Sequence, residues 1–143
     1  MPGLKPQDLP STFYRFALKA LIFDDDGRLL VAENEDHLYE LPGGGWEYDD
    51  ISFEAGMQRE LREEIGIEAD TIGPIAFLFR GQSTYGWKVA RAAIHVKLTG
   101  TDLTPGDDII ATRYVTREEF LQLSFDPADA EILQYADQIW PAS

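Results

Sequence analysis

Three carboxylates fall within five residues, Glu60, Glu63 and Glu64, in the run Arg59-Glu60-Leu61-Arg62-Glu63-Glu64-Ile65-Gly66-Ile67. On a helix, positions three and four apart share a face, so the three acids stand together and repel one another unless a cation sits among them. A hard divalent cation suits an all-oxygen set, and Mg²⁺ takes few carboxylates together with waters and substrate phosphates. The chemistry in view is a metal site that meets substrate phosphates. A Glu- and Arg-rich helix also serves as a plain solvated face supported by pairs four apart. The surrounding residues narrow the choice. Phe53, Met57, Leu61 and Ile65 recur every four residues, so the other face of the helix packs on a core. Ser52 reads as its N-cap and Gly66 as its stop. Gly56, inside the helix, costs about 1 kcal/mol relative to alanine and suggests the close approach of another backbone. Upstream, Gly43-Gly44-Gly45 permits backbone geometries closed to other residues and lets a ligand come near the chain. A glycine triplet alone is also compatible with a simple turn.

Residues 41–67 resemble the signature of the Nudix hydrolases, the MutT-like nucleoside diphosphate-X pyrophosphohydrolases. That signature runs Gly, five residues, Glu, seven residues, then Arg-Glu-apolar-any-Glu-Glu-any-Gly-apolar. Residues 59–67 match its second half at every position, and Leu41-Pro42-Gly43-Gly44 matches its usual beginning. The middle departs from it. Asp50 stands where the spacing from Gly44 calls for Glu, and eight residues rather than seven separate Asp50 from Arg59. The resemblance implies an α/β fold, the Nudix α/β/α sandwich with a mixed central sheet, formed as one domain over residues 13–143. Residues 1–12, with Pro2, Pro6 and Pro10, read as a flexible tail.

The resemblance also implies roles. Glu63 and Glu64 correspond to metal ligands, and Glu60 to a further ligand or to the base that orients the attacking water. The Gly43 carbonyl corresponds to a backbone ligand. Arg59 corresponds to the arginine that holds the motif together through an ion pair, with Asp50 or Glu47 as its partner; Arg62 faces solvent. The implied cofactor is Mg²⁺, with Mn²⁺ as the alternative. Residues 108–114 resemble a second family pattern, Glu-apolar-any-Glu-any-Arg-Trp, with Asp108 for the first Glu, Ala111 for the second and Tyr114 for the Trp. Asp108 or Asp107 is therefore an auxiliary metal ligand in prospect, against the alternative of a plain acidic turn. Tyr85, 18 residues after Ile67, lies near the tyrosine of dinucleoside polyphosphate hydrolases, whereas the proline of ADP-ribose hydrolases has no counterpart. Tyr85 and Trp87 are candidates to stack a base. Arg80, Lys88 and Arg91 flank the same loop and are candidates to receive phosphates.

The expected activity is metal-dependent cleavage of a diphosphate linkage in a nucleoside diphosphate derivative or related compound. A nucleoside triphosphate, a nucleotide sugar and a non-nucleotide diphosphate all remain open. A catalytically silent Nudix-fold module that binds a nucleotide or a protein is the alternative, and the altered stretch around Asp50 is its motive. A metal-dependent diphosphate isomerase ranks last, because it calls for an activated cysteine and the chain has none.

Composition sets the outer bounds. The chain has 143 residues, enough for one domain with a real core. Its 26 acidic and 12 basic residues give a net charge of −14, which disfavours stable binding to nucleic acid or to an anionic membrane. An anionic small-molecule partner must therefore be received through a metal or a local basic patch. Without cysteine there is no disulfide framework. No membrane span or signal peptide is evident, and a cytoplasmic location is the default. Oligomeric state is open, a homodimer included.

The remaining elements follow from pattern. Residues 13–23 read as a strand, Asp24-Asp25-Asp26-Gly27 as a solvated hairpin turn, and residues 29–32 as the returning strand. The spacing of the aspartates is not that of a calcium loop. Strands are expected over residues 38–41, 72–79, 87–98 and 109–115, with residues 80–86 as a loop. His37 and His95 lack the company of a metal-binding histidine cluster. Thr116 and Glu119 form a capping box, and Asp126-Pro127 begins a last helix with Ile132, Tyr135, Ala136 and Ile139 on one face.

Overall fold

The computed structural model describes residues 13–142. The expected tail over residues 1–12 lies outside them. In chain order the elements are β1 (Arg15–Leu21), β2 (Leu29–Asn34), β3 (Tyr39–Glu40), β4 (Gly43–Gly45), α1 (Phe53–Ile65), β5 (Ala69–Gln82), β6 (Lys88–Leu98), β7 (Ile109–Val115), α2 (Arg117–Leu121), a 3-10 helix (Ala130–Tyr135) and α3 (Ala136–Ile139). They form a four-stranded mixed sheet, β4-β1-β6-β5, and a three-stranded antiparallel sheet, β3-β2-β7. The β1–β6 pair is parallel and the other pairs are antiparallel.

Strand alternation assigns each side of the mixed sheet its own cover. Leu18, Ala20 and Ile22 point to one face with Ala92, Ile94 and Val96, and there Met57, Leu61 and Ile65 of α1 pack on them. Leu21, Ala93 and Phe79 belong to the opposite cluster, where Phe120, Phe125, Ile132, Ala136 and Ile139 of the C-terminal segments meet Leu29, Val31, Leu41 and Val115. The result is the layered α/β architecture expected of the sequence. Met57, Leu61 and Ile65 are fully buried, so burying this stripe fixes which face of α1 its glutamates can occupy.

The ends of α1 are set as its sequence indicates. Ser52 accepts the Ala55 N–H at 3.1 Å, and Gly66 closes the helix in the left-handed region with φ of 68°. Gly56 has a different cause from the expected backbone contact. A β-carbon there would press on the Asp50 carboxylate and the Trp46 ring, so the glycine makes room for side chains.

Three other expectations are revised. The Asp24–Gly27 turn forms, with Asp24 Oδ1 accepting the N–H groups of Asp26 and Arg28 at 3.0 and 2.8 Å. It does not lead into a long hairpin ladder, because β1 and β2 diverge into separate sheets after the Phe23–Leu29 bridge. Residues 80–82, expected in a loop, extend β5 by pairing with Lys88, Val89 and Ala90. The last helix does not begin at Pro127. Asp126 Oδ1 accepts the Ala128 N–H in a local turn, and Asp129 is drawn inward to cationic partners. The chain then starts as a 3-10 helix at Ala130. Its apolar face is as expected, and Tyr135 stacks on Phe77 with ring centroids 4.5 Å apart.

Ser52→Ala should lower the free energy of unfolding by about 1 kcal/mol. Urea denaturation should show this as a lower midpoint with an unchanged slope.

Candidate active site

The glycine turn is built into the edge of the mixed sheet. The Pro42 carbonyl accepts the Ala20 N–H at 2.8 Å, and β4 then pairs with β1, Gly43 opposite Lys19 and Gly44 opposite Leu18. Gly43 has φ of 130°, and a β-carbon on it would collide with the Leu18 carbonyl. A β-carbon on Gly44 would collide with the Glu60 carboxylate. The bare backbone thereby slots between β1 and α1 and meets the helix glutamates directly. Glu64 Oε1 accepts the Gly43 N–H at 2.7 Å. Only 8% of Glu64 is exposed. Burial pushes its carboxyl up to about 8, against the opposing pull of the Lys19 ammonium and the Gly43 N–H.

Arg59 holds the adjoining acids. Its Nε and Nη2 donate to the two oxygens of Asp50 at 3.1 and 2.9 Å. Nη2 also donates to the Gly45 carbonyl at 3.0 Å, and Nη1 to Glu60 Oε1 at 2.8 Å. Glu63 Oε2 stands 3.5 Å from Nη1. The sequence left two partners open; the bidentate pair is with Asp50, and Glu47 lies farther away at 3.8 Å. Asp50 also accepts the Glu47 N–H at 2.9 Å, and the Arg59 guanidinium holds its carboxyl below the usual range. Burial raises the Glu60 carboxyl, with Arg59 opposing. Arg62 faces outward as expected, 3.8 Å from Glu68.

The C-terminal end of α1 is tied to the loop before β7. Thr104 and Gly106 donate N–H groups to the carbonyls of Ile65 and Glu64 at 2.9 and 2.8 Å. This brings Asp107 and Asp108 to a cavity of about 480 Å³ that Glu64, Glu40 and Asp126 also line. Among the described residues no three acidic or histidine side chains converge on a single ion position. Glu60 and Glu63 turn toward Arg59, and Glu64 toward Gly43. The donor chemistry fits a hard divalent cation: Glu64 is a buried carboxyl with Glu40 and Glu60 as its acidic neighbours, and its burial outweighs the pull of Lys19.

Beyond Glu64 runs a cleft of about 380 Å³ whose lining includes Arg15, Lys19, Glu40, Tyr85, Trp87 and Arg91. Tyr85 and Trp87 therefore face the same space as Glu64, at its exposed end. Arg80 does not. Strand alternation puts Phe79 and its register partner Arg91 on the cleft side; Arg80 points the other way, into a separate pocket with Lys88 and Tyr14, and pairs with Glu131 at 3.6 Å. Of the three cations proposed around the loop, only Arg91 lines the cleft. His37 is exposed, paired with Glu33 at 2.9 Å, and His95 lines a different pocket.

Sequence reasoning passed over Arg15, Lys19, Glu40 and Asp129. Lys19 carried a visible signal, as the one charge inside the apolar run of residues 16–22. Asp129 carried none, because its burial depends on contacts with Lys19 and Arg91 that are remote in sequence.

The Glu64 carboxyl makes stability depend on pH. In metal-free buffer the folded chain keeps a proton that the unfolded chain loses between the ordinary value of 4.5 and about 8. The contribution is fully present below the lower value and is lost as pH rises through the upper one. Thermal unfolding in EDTA should show a higher midpoint at about pH 5.5 than at about pH 8.5. Glu64→Gln should flatten that difference; an equal slope in the variant would rule out Glu64 as its source.

Comparison with known proteins agrees with this geometry. A family profile described as the NUDIX domain matches residues 13–136. No curated protein matches significantly. Among solved structures, the chain is similar to a MutT protein from Methanosarcina mazei Go1, with 23% identity over 88% of this chain and 92% of that one and a TM-score of 0.74. It is similar to the ORF135 protein of E. coli, with 30% identity over 90% and 94% and a TM-score of 0.68. The NUDIX domain of Shewanella oneidensis NrtR, solved with ADP ribose, shares 15% identity over 95% and 93% with a TM-score of 0.69. With the signature glutamates gathered behind the glycine turn and the profile spanning nearly all the described residues, the chain belongs to the Nudix family of hydrolases, enzymes acting on phosphoric anhydride bonds.

Proposed function

We propose that this chain is a divalent-cation-dependent pyrophosphohydrolase that cleaves the diphosphate linkage of a nucleoside diphosphate derivative. The observation that carries the proposal is the buried Glu64 carboxylate, fixed by the Gly43 N–H at the base of a cleft that ends in Tyr85 and Trp87. The names of structural relatives support the same type of bond: one is a UDP-X diphosphatase and another a dihydroneopterin triphosphate pyrophosphohydrolase.

Glu60, Glu63, Glu64 and the Gly43 carbonyl would hold Mg²⁺ or Mn²⁺, and Asp108 would supply a further oxygen from across the adjoining cavity. When bound, the cation supplies charge neutralisation on the phosphates and a more acidic water. The chain's own residues provide the rest. Arg59, anchored by Asp50, holds the Glu60 and Glu63 carboxylates beside it. Glu60 acts as a ligand or accepts the proton of the attacking water. Arg91 and Arg15 offer positive charge to the substrate in an otherwise acidic protein. Tyr85 and Trp87 offer aromatic faces for a base, with Arg15 already 5.9 Å from the Trp87 ring centroid. The Arg59–Asp50 pair forms despite the altered spacing, which supports an active enzyme over a silent module.

The test is hydrolysis of a panel of nucleoside polyphosphates, ADP-ribose, dinucleoside polyphosphates and nucleotide sugars with Mg²⁺ or Mn²⁺, products being separated by chromatography. One class should be cleaved, and Glu64→Gln should be at least about a hundredfold slower, as expected when a metal-site carboxylate is lost. No cleavage and no binding of any compound would defeat the proposal. Asp108→Asn should lower the number of metal ions bound; unchanged stoichiometry and rate would remove Asp108 from the site.

A further inference from the structure

Lys19 is an unusual occupant of its position. It sits on β1 between Ala17 and Leu21 on the same strand face, both buried and apolar, and is itself only 3% exposed. Burying an ammonium is costly unless its charge and donors are matched. Lys19 is matched by four groups. Its Nζ donates to the carbonyls of Leu41 and Gly43 at 3.1 and 3.2 Å and lies 3.6 Å from both Glu40 and Asp129. Burial alone would lower its pKa, but Asp129 and Glu40 outweigh that and hold it above the ordinary value. Asp129, 1% exposed, also accepts the Leu41 N–H at 3.3 Å and Arg91 Nε at 2.7 Å.

The two carbonyls flank Pro42, so the ammonium grips the chain where it enters the glycine turn. The turn needs such a grip. β4 is three glycines, which offer no side chains to pack, and glycine strands hold their register weakly. Ladder pairing with β1 is short, from Ala17–Gly45 to Lys19–Gly43. We infer that Lys19 is a positioning residue whose ammonium locks the Leu41–Gly43 carbonyls in place and so presents Gly43 both to Glu64 and to the catalytic cation. This rests on the metal-dependent reading above. Lys19 acts one bond removed from the metal ligands, where loss of a partner typically lowers metal affinity or activity by about 10- to 100-fold.

The experiment is Mn²⁺ titration of the intact protein, free Mn²⁺ being read by electron paramagnetic resonance, with Lys19→Met beside the unaltered chain. Methionine keeps an unbranched apolar stem like that of lysine and removes the ammonium. Mn²⁺ affinity should fall by about tenfold or more, and kcat should fall by a similar factor while KM changes by less than about threefold, because Arg91 keeps its Asp129 partner. Leu21→Ala, on the same strand face, serves as a control that should lower the thermal midpoint without weakening Mn²⁺ binding. A Lys19→Met protein that is less stable but binds Mn²⁺ as tightly as the unaltered chain would overturn the inference. Should Lys19→Met fail to fold, Lys19→Gln, which retains a neutral donor, gives the same discrimination: weaker Mn²⁺ binding supports the inference and unchanged binding overturns it. If the unaltered chain binds no Mn²⁺, the metal-dependent reading falls and takes this inference with it, a result distinct from unequal or equal binding by the variants.

Discussion

The contact between the Gly43 N–H and the Glu64 carboxylate joins the two halves of the motif, and it exists because a backbone without side chains can pass between a strand and a helix. On one side the Leu18 carbonyl leaves no space for a β-carbon at Gly43; on the other the Glu60 carboxylate leaves none at Gly44. The glycine strand is thus a spacer of minimal thickness. Thickening it by one methyl group would separate β1 from α1 and draw the turn away from the helix acids. The apolar face of α1 works to the same end, since burying Met57, Leu61 and Ile65 presses the helix onto the sheet.

Charge is handled in the site by local balance. The chain is strongly acidic, yet Lys19 and Arg91 are buried or nearly so beneath the cleft, each paired with Asp129. On the helix side Arg59 meets Asp50, Glu60 and Glu63. Glu64 is the exception: burial dominates its environment and its carboxyl is raised to about 8. On the metal-dependent reading proposed above, a bound cation would oppose that preference.

The departure from the family spacing is absorbed where it does least. The added residue falls in the stretch between β4 and α1, where Tyr48 and Ile51 are almost fully exposed. Asp50 nonetheless turns inward to clamp Arg59, and Gly56 gives its carboxylate room against the helix. A carboxylate one carbon shorter than the usual glutamate still reaches because the loop carries it to the helix surface.

Much of this protein was legible as sequence because it is local. Ser52 and Gly66 bound the helix through their own side chain and backbone preferences, and the period of four placed the glutamates opposite the apolar stripe. The Thr116–Glu119 capping box and the strand of residues 109–115 were legible for the same reason. The choice of Asp50 over Glu47, the turning of Arg80 away from the cleft and the 3-10 start at Ala130 were not. Each depends on register or on partners distant in the chain. Lys19 and Asp129 make the point most clearly: 110 positions apart in number, they meet only when β1 and the C-terminal segment close over the same cavity. Sequence by itself determined the motif, the helix and the class of chemistry, because those follow from residue type and spacing along one element. Only the tertiary structure decided which charges face the cleft, because that follows from which strands pair and which side of the sheet each residue takes.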